Sequence, residues 1–566
     1  MRSIIQKGLF LLAVWVYFAF CVKAHLLFVE GMQLFLYTGD YALDTCLRPG
    51  GLCNYISRFI IQFYHDPWLG ALLTGLLLLA LQSLVSRLAG EKRKEESGLS
   101  FIPSFFYLCL LSDMTLYTIN GLVALIFALL AVLIYCKSGN PWLRSAYGLF
   151  FPPLLWFTVG GVAIPAVILM ISMECLNRNT RWFIPLFSVV AAGVLTVLAA
   201  PHAAPSLNNP ALLYGSGYTR FIEKWHPVFW ILWAVLILVI LGLRHVRPVK
   251  KTAYGILLTV VVFAMGAGAL AACHKTAREN VLRYYFAIHQ SKWEKAISMA
   301  EKKIPSDILS LNALNLALAA TDQAGSRMFE FPQSTSTLKI FSQGEGLLFS
   351  AETLFHLGFI NEAQRLSHEY MESIPDRQLS SLLVAQMAET SLIAGQTAVA
   401  RKYLGLLQHT LFYRKAAKNL DQLARDPRQV ASHPFYGAKQ DLQPREDFSS
   451  DFANLDNMLA RMVMQRPGNR IAVNYFFMYL MIHKKVDALH QLFPPRPYVP
   501  RHYQELIAWA RTVQPGRYPA YEIIHVDTSV TTGLNHLLSE IKSGNSSPEA
   551  LGPRFAHTYW FYLLYM

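Results

Sequence analysis

The chain has 566 residues, of which 54% are hydrophobic and only 15% charged, against about 25% charged residues in an ordinary soluble protein. This balance excludes a disordered chain and a purely soluble one. Residues 1–273 hold 19 Lys/Arg and 10 Asp/Glu, and residues 274–566 hold 31 and 26, so the net charge of +14 divides as +9 and +5. In the first part the basic residues stand in short runs beside apolar stretches. That pattern orients a membrane protein and gives no footing to nucleic acid.

Taken in chain order, apolar runs fit to cross about 30 Å of hydrocarbon occur at residues 8–29, 69–88, 116–135, 182–200, 228–243 and 253–273. A shorter run covers 99–112. The run 145–173 contains Pro152-Pro153 and Gly160-Gly161 and reads as two short broken helices. Placing Arg2, Lys7, the run Glu91-Lys92-Arg93-Lys94, Lys137, Arg144, Arg178, Arg181, Arg244, Arg247, Lys250 and Lys251 on the cytoplasmic side predicts nine spans, with everything beyond Cys273 outside. The first run reads as a retained signal anchor, because no small-x-small cleavage site follows it. The only charges inside these spans are Lys23 and Arg87, so no carboxylate relay of an ion-coupled transporter is expected.

Two external loops exceed simple connectors. Residues 30–67 contain the turn Arg48-Pro49-Gly50-Gly51, followed by an amphipathic stretch with Leu52, Tyr55, Ile56, Phe59, Ile60 and Phe63 on one face and Asn54, Ser57, Arg58 and Gln62 on the other, as in an interfacial helix. The loop 201–226 carries Arg220, Glu223, Lys224, Trp225 and His226. Acidic residues gather at this predicted external face: Glu30, Asp40, Asp44, His65-Asp66 and Asp113. Asp40 and Asp44 share a face if their segment is helical, and paired carboxylates there act as a base or hold a cation. An Asp44–Arg48 helical ion pair is the plainer alternative. Cys46 and Cys53 flank the Pro-Gly turn as a disulfide or as two thiols, which geometry decides. All seven cysteines lie at or before Cys273, so the later part has no disulfide or thiolate site.

Beyond residue 274 the pattern is helical and repetitive. In Ser291 to Ala296, Gly358 to Ala363, Gly395 to Ala400 and His483 to Ala488 a turn residue is followed five positions later by alanine, between two apolar helices. With AETLFHLGFINEAQRL (351–366) and Trp293-Glu294-Lys295-Ala296-Ile297, this resembles the tetratricopeptide repeat, at irregular spacing, and implies a helical solenoid over about residues 275–512. Residues 329–337 read as an ordered loop and 425–448 as a surface crossing. The aromatic segment 555–566 needs a surface to cover it.

No Walker loop, GxSxG elbow, HExxH or CxxC is present, and the sequence names no particular cofactor. The plan is similar to that of polytopic C-type glycosyltransferases, which use lipid-linked sugars and carry acidic catalytic residues in a large first external loop. On that resemblance Asp40 and Asp44 are the catalytic candidates, although they replace the Asp-Asp or Asp-x-Asp of such enzymes. The stretches RPGGLCNYISRFIIQFYHDPWLGALL and LNLALAATDQAGSRMFEFPQ resemble uncharacterised multi-pass envelope proteins of Gram-negative bacteria with a tetratricopeptide-like C-terminal part. The expectation is an all-α protein of the bacterial inner membrane, with a polytopic domain at 1–273 and a periplasmic tetratricopeptide-like domain at 274–566. That second domain recruits a protein or glycan partner. The alternative is a glycosyltransferase-like enzyme acting on a lipid-linked sugar.

Overall fold

In the computed structural model, which describes residues 2–90, 98–113, 117–177, 181–203, 227–245, 252–374, 379–446, 452–493 and 499–566, every regular element is a helix. Helices account for 79% of the described residues, among which no strand forms. Two units emerge. The first comprises Met1–Glu279, Ile374–Ala385 and Leu404–Asn419, and the second Asn280–Ser373, Gln386–Tyr403 and Leu420–Met566. Composition alone cuts the chain once, at Cys273, whereas here two later segments join the first unit.

Five helical stretches of the first unit are long and apolar enough to cross a membrane: Ser3–Cys21, Pro67–Ala89, Asn120–Lys137, Pro141–Leu176, which is broken at Gly160, and Ala253–Cys273. Shorter apolar helices lie at Leu99–Leu111, Phe183–Ala199 and Val228–Arg244. Their inward sides meet in a core that includes Leu78, Leu122, Val132, Val159, Met170 and Ile240, each fully buried.

The first apolar run does not form one helix. It passes through a π-helical turn at Tyr17–Cys21, breaks at Val22 (φ −129°, ψ 34°) and restarts as Lys23–Gly31. The buried Glu279 carboxylate takes the first free N–H groups of the new helix, from Ala24 (2.9 Å) and His25 (3.2 Å), and the His25 ring (2.7 Å). In the long broken run, Pro152 and Pro153 stay inside the helix Pro141–Val159 and the chain turns at Gly160 (φ 65°, ψ −140°). Arg144, expected as a basic flank, is instead buried, 3.3 Å from buried Glu174 on the helix Ala163–Asn177. Charge inside the apolar helices thus exceeds Lys23 and Arg87.

In the helix Gly51–Ile61, Ser57, expected on the outward polar side, faces inward. Cys53, Ser57 and Ile61 form its buried side, because the Ser57 hydroxyl satisfies itself on the Cys53 carbonyl (2.6 Å) and reaches Asn120. Phe59 is exposed. Cys46 and Cys53 are free thiols.

In the second unit five helix pairs are joined by one kind of turn. A left-handed residue stands at Ser291, Asp322, Gly358, Gly395 and Lys484 (φ 52–93°). The next N–H donates to a carbonyl five residues back: Lys292 to Ala287, Gln323 to Leu318, Phe359 to Leu354, Gln396 to Ser391 and Lys485 to Leu480, at 2.8–2.9 Å. This is the Schellman closure of a helix C-terminus. Ala296, Ala363 and Ala400, five positions after three of these residues, are fully buried. The fourth sequence copy is one residue out of register: Lys484 turns the chain instead of His483, and Leu489 takes the buried place assigned to Ala488. The aromatic tail forms the helix Tyr559–Tyr565. The buried Glu505 carboxylate accepts the Tyr559 N–H (2.8 Å), and the Trp560 indole donates to the Glu505 carbonyl (2.6 Å).

These turns rank their own substitutions. At Gly358 (φ 93°) an added Cβ meets the Leu442 carbonyl at 2.6 Å, whereas at Gly395 (φ 76°) it meets nothing within 4 Å. Gly395→Ala is therefore expected to cost about 1 kcal/mol of backbone strain and Gly358→Ala roughly 2–3 kcal/mol. Overpacking by Ala363→Leu adds a comparable loss of roughly 1–3 kcal/mol. Chemical denaturation of the purified chain checks the order.

Candidate functional site

Residues 30–67 and the two later segments of the first unit converge on Glu30. This residue ends the helix Lys23–Gly31, and its carboxylate is 8% exposed. Ser380 and Ser381 lie at the start of the helix Ser381–Ile393. The Ser380 hydroxyl donates to the Gly31 carbonyl (2.5 Å), the Ser381 hydroxyl contacts the Glu30 carbonyl (3.3 Å), and the Ser381 N–H donates to the Gln33 carbonyl (3.0 Å). The segment 404–419 supplies Tyr413, whose hydroxyl donates to Glu30 Oε2 (2.8 Å) and accepts from the Ser381 hydroxyl (3.2 Å). Burial and the neighbouring Glu30 push the Tyr413 phenol well above its ordinary value, so it stays a donor.

His65 completes the group. Its Nδ1 lies 3.8 Å from Glu30 Oε2, its side chain is 45% exposed, and Phe412 stacks on its ring at 4.8 Å. The Glu30 carboxylate raises the His65 pKa, with burial opposing. Asp66 caps the helix Pro67–Ala89 by accepting the Trp68 N–H (3.0 Å). Beside this group runs an aromatic platform in which Phe35 meets Tyr37, Tyr41, Tyr55 and Phe59 at 5.1–5.6 Å, with Tyr37 and Phe59 exposed. A half-exposed imidazole on a buried carboxylate can shuttle a proton. Exposed rings beside polar groups offer an apolar face to a sugar or a lipid.

Asp40 and Asp44 do lie on one short helix, Gly39–Cys46, and both are exposed. Asp44 makes no ion pair with Arg48. Neither aspartate hydrogen-bonds to Glu30 or His65. Asp113 pairs with Lys275. The loop residues Arg220, Glu223, Lys224, Trp225 and His226, and the basic residues at 91–94, Arg178, Arg247, Lys250 and Lys251, lie outside the described residues. No group of three or more His, Cys, Asp or Glu is placed to hold a metal among the described residues.

A second polar cluster, inside the second unit, has no counterpart in the sequence reading. His289 Nδ1 lies 2.6 Å from Glu352, which also accepts from Gln386 (3.3 Å). His356, one turn beyond Glu352, donates from Nε2 to the Ile288 carbonyl (3.2 Å), leaving Nδ1 to face Lys439 Nζ at 3.5 Å. Lys439 also donates to the Phe355 carbonyl (3.2 Å), and Tyr436 donates to Glu389 (3.3 Å). The signal available in sequence was Glu352 and His356 four apart on the otherwise apolar helix Gly346–Leu357. Burial holds Lys439 down to about 8, against Glu352 and Glu389. Burial and the Lys439 charge hold His356 well below the imidazole range. Burial also works to lower His289, but the Glu352 carboxylate outweighs it and raises this histidine.

The described residues define a class: an all-α protein with an apolar, many-helix unit and a second unit of helix pairs. The chain belongs to a family of unknown function, DUF6057, whose profile it matches over residues 1–566. No curated protein and no solved structure matches it.

Lys439 gives the second unit a pH signature. Folded, it releases its proton near pH 8, whereas in the unfolded chain it does so near 10.5. Between these values the unfolded state binds more protons, so stability rises as pH increases. Thermal unfolding of the detergent-purified chain is expected to shift upward from pH 8 to 10, and Lys439→Met to flatten that rise.

Proposed function

We propose that this protein is a multi-pass protein of the bacterial inner membrane, with about nine spans in residues 1–273, whose second unit stands in the periplasm as a tetratricopeptide-like solenoid and recruits a protein or glycan partner. The observation that carries this reading is the turn shared by five helix pairs, closed by the same hydrogen bond and followed in three cases by a buried alanine. Stacked helix pairs of this kind offer broad surfaces suited to macromolecular partners. The membrane part is supported by five helices of sufficient length and hydropathy and by exposed apolar side chains on one of them, such as Met265, and on the shorter apolar helices, such as Leu195, Leu198 and Leu238.

A second reading, a glycosyltransferase-like enzyme for a lipid-linked sugar, is favoured by the Glu30–His65–Tyr413 group beside exposed aromatic rings. On this reading Asp40 and Asp44 remain the loop carboxylates that would meet the donor, and Glu30 is a third candidate.

Alkaline phosphatase fused after residues 275 and 566 is expected to be active; inactivity at both positions sinks the topology. Photo-crosslinking residues at exposed positions 365 and 402 of the second unit are expected to give discrete adducts in intact cells. Docking predicts unchanged envelope glycan profiles in Asp40→Asn, Asp44→Asn and Glu30→Gln, provided protein levels hold, whereas the enzyme reading predicts lost transfer in at least one.

A further inference from the structure

We propose that a groove in the first unit, between the helices Ile102–Leu111 and Thr252–Cys273 and also lined by Val228 at the start of Pro227–His245, is a binding site for one phospholipid with a phosphoethanolamine headgroup. This rests on the membrane reading above. The groove encloses a cavity of about 690 Å³ walled by Phe105, Phe106, Leu110, Val262 and Met265, with Ala269 and Ala272 leaving the space. A volume of this size is typical of built ligand pockets, ~300–1,000 Å³. From Val262 to Cys273 the helix rises by about 17 Å, the depth of roughly one leaflet of a ~30 Å hydrocarbon core. The outer wall is thin: only 11% of the span Ala253–Cys273 is buried, so the groove opens sideways.

The occupant is fixed by the polar end. The helices Ile102–Leu111 and Thr252–Cys273 both terminate there, and the Ser112 hydroxyl, which donates to the Cys109 carbonyl (2.7 Å), also lies 3.2 Å from the Cys273 carbonyl. At the same end Asp113, 14% exposed, meets Lys275, 60% exposed, at 2.5 Å. Two helix C-termini and a carboxylate favour a cation, and the adjacent ammonium favours an anion. A headgroup that carries both charges matches both: its phosphate takes Lys275, and its primary ammonium donates to Asp113. A trimethylammonium headgroup has no N–H to donate, and a glycerol headgroup brings no cation for Asp113.

The full chain, purified in mild detergent, is mixed with equal amounts of phosphatidylethanolamine, phosphatidylcholine and phosphatidylglycerol and read by native mass spectrometry. The phosphatidylethanolamine adduct is expected to exceed either of the others by about tenfold. Ala269→Phe and Ala272→Phe, both at exposed positions, are expected to reduce that adduct by a similar factor without moving the unfolding temperature. Asp113→Asn is expected to erase the preference over phosphatidylcholine. Equal adducts for the three headgroups overturn the proposal, as does an undiminished adduct in both phenylalanine variants. Alkaline carbonate extraction separates the two readings: release of the chain from membranes removes the membrane reading and this site with it. Retention with equal adducts removes the site alone.

Discussion

A single buried carboxylate decides the course of the first unit. The helix Lys23–Gly31 begins among apolar side chains, where free backbone N–H groups have no water to satisfy them and each unmet bond costs about 1–3 kcal/mol. Glu279 supplies the acceptors, 2.9 and 3.2 Å from the Ala24 and His25 nitrogens. With that start secured, the chain can break at Val22 and run in a new direction. Glu30 and Gly31 then meet Ser380 and Ser381. The candidate site therefore exists because a residue some 250 positions downstream caps a helix.

The sequence shows this architecture unevenly, for physical reasons. Gly358 and Gly395 announce their turns because glycine is the residue that adopts a positive φ at least cost. Ser291, Asp322 and Lys484 adopt the same backbone without that label. Nothing in the sequence marks the turn at Asp322, and the turn at Lys484 stands one residue beyond His483. At Asp322 the side chain itself contributes, accepting from Asn474 (2.7 Å) and pairing with Arg470. Glu30 and His65 were visible as acidic and titratable residues flanking apolar runs. Their partners Ser381 and Tyr413 were not, since nothing local in a helix start or a tyrosine tells that it closes on a residue about 350 or more positions earlier. Asp40 and Asp44 share one face of the helix Gly39–Cys46, as their spacing predicts.

The two polar clusters differ in what they can do. Around Glu30 one ring is half-exposed and the rest is fixed by hydroxyl and backbone donors, so a proton can pass between solvent and a buried acid. Around Lys439 the groups lie on several helices and bond chiefly to one another. Such networks are costly to break by removing one member, because a buried group is left unpaired. The first arrangement suits exchange with a ligand, and the second suits holding helices in register.

The Arg144–Glu174 pair has a consequence for biogenesis under the membrane reading. The two charges lie on consecutive helices joined at Gly160 and meet at 3.3 Å, both buried. Both lie within about one turn of a helix end, where a lone charge opposes insertion by less than the about 2.5–3.5 kcal/mol of a central one. Neutralisation requires both helices at once. Under that reading, residues 141–177 gain by entering the bilayer together, because each helix carries the partner that neutralises the charge of the other.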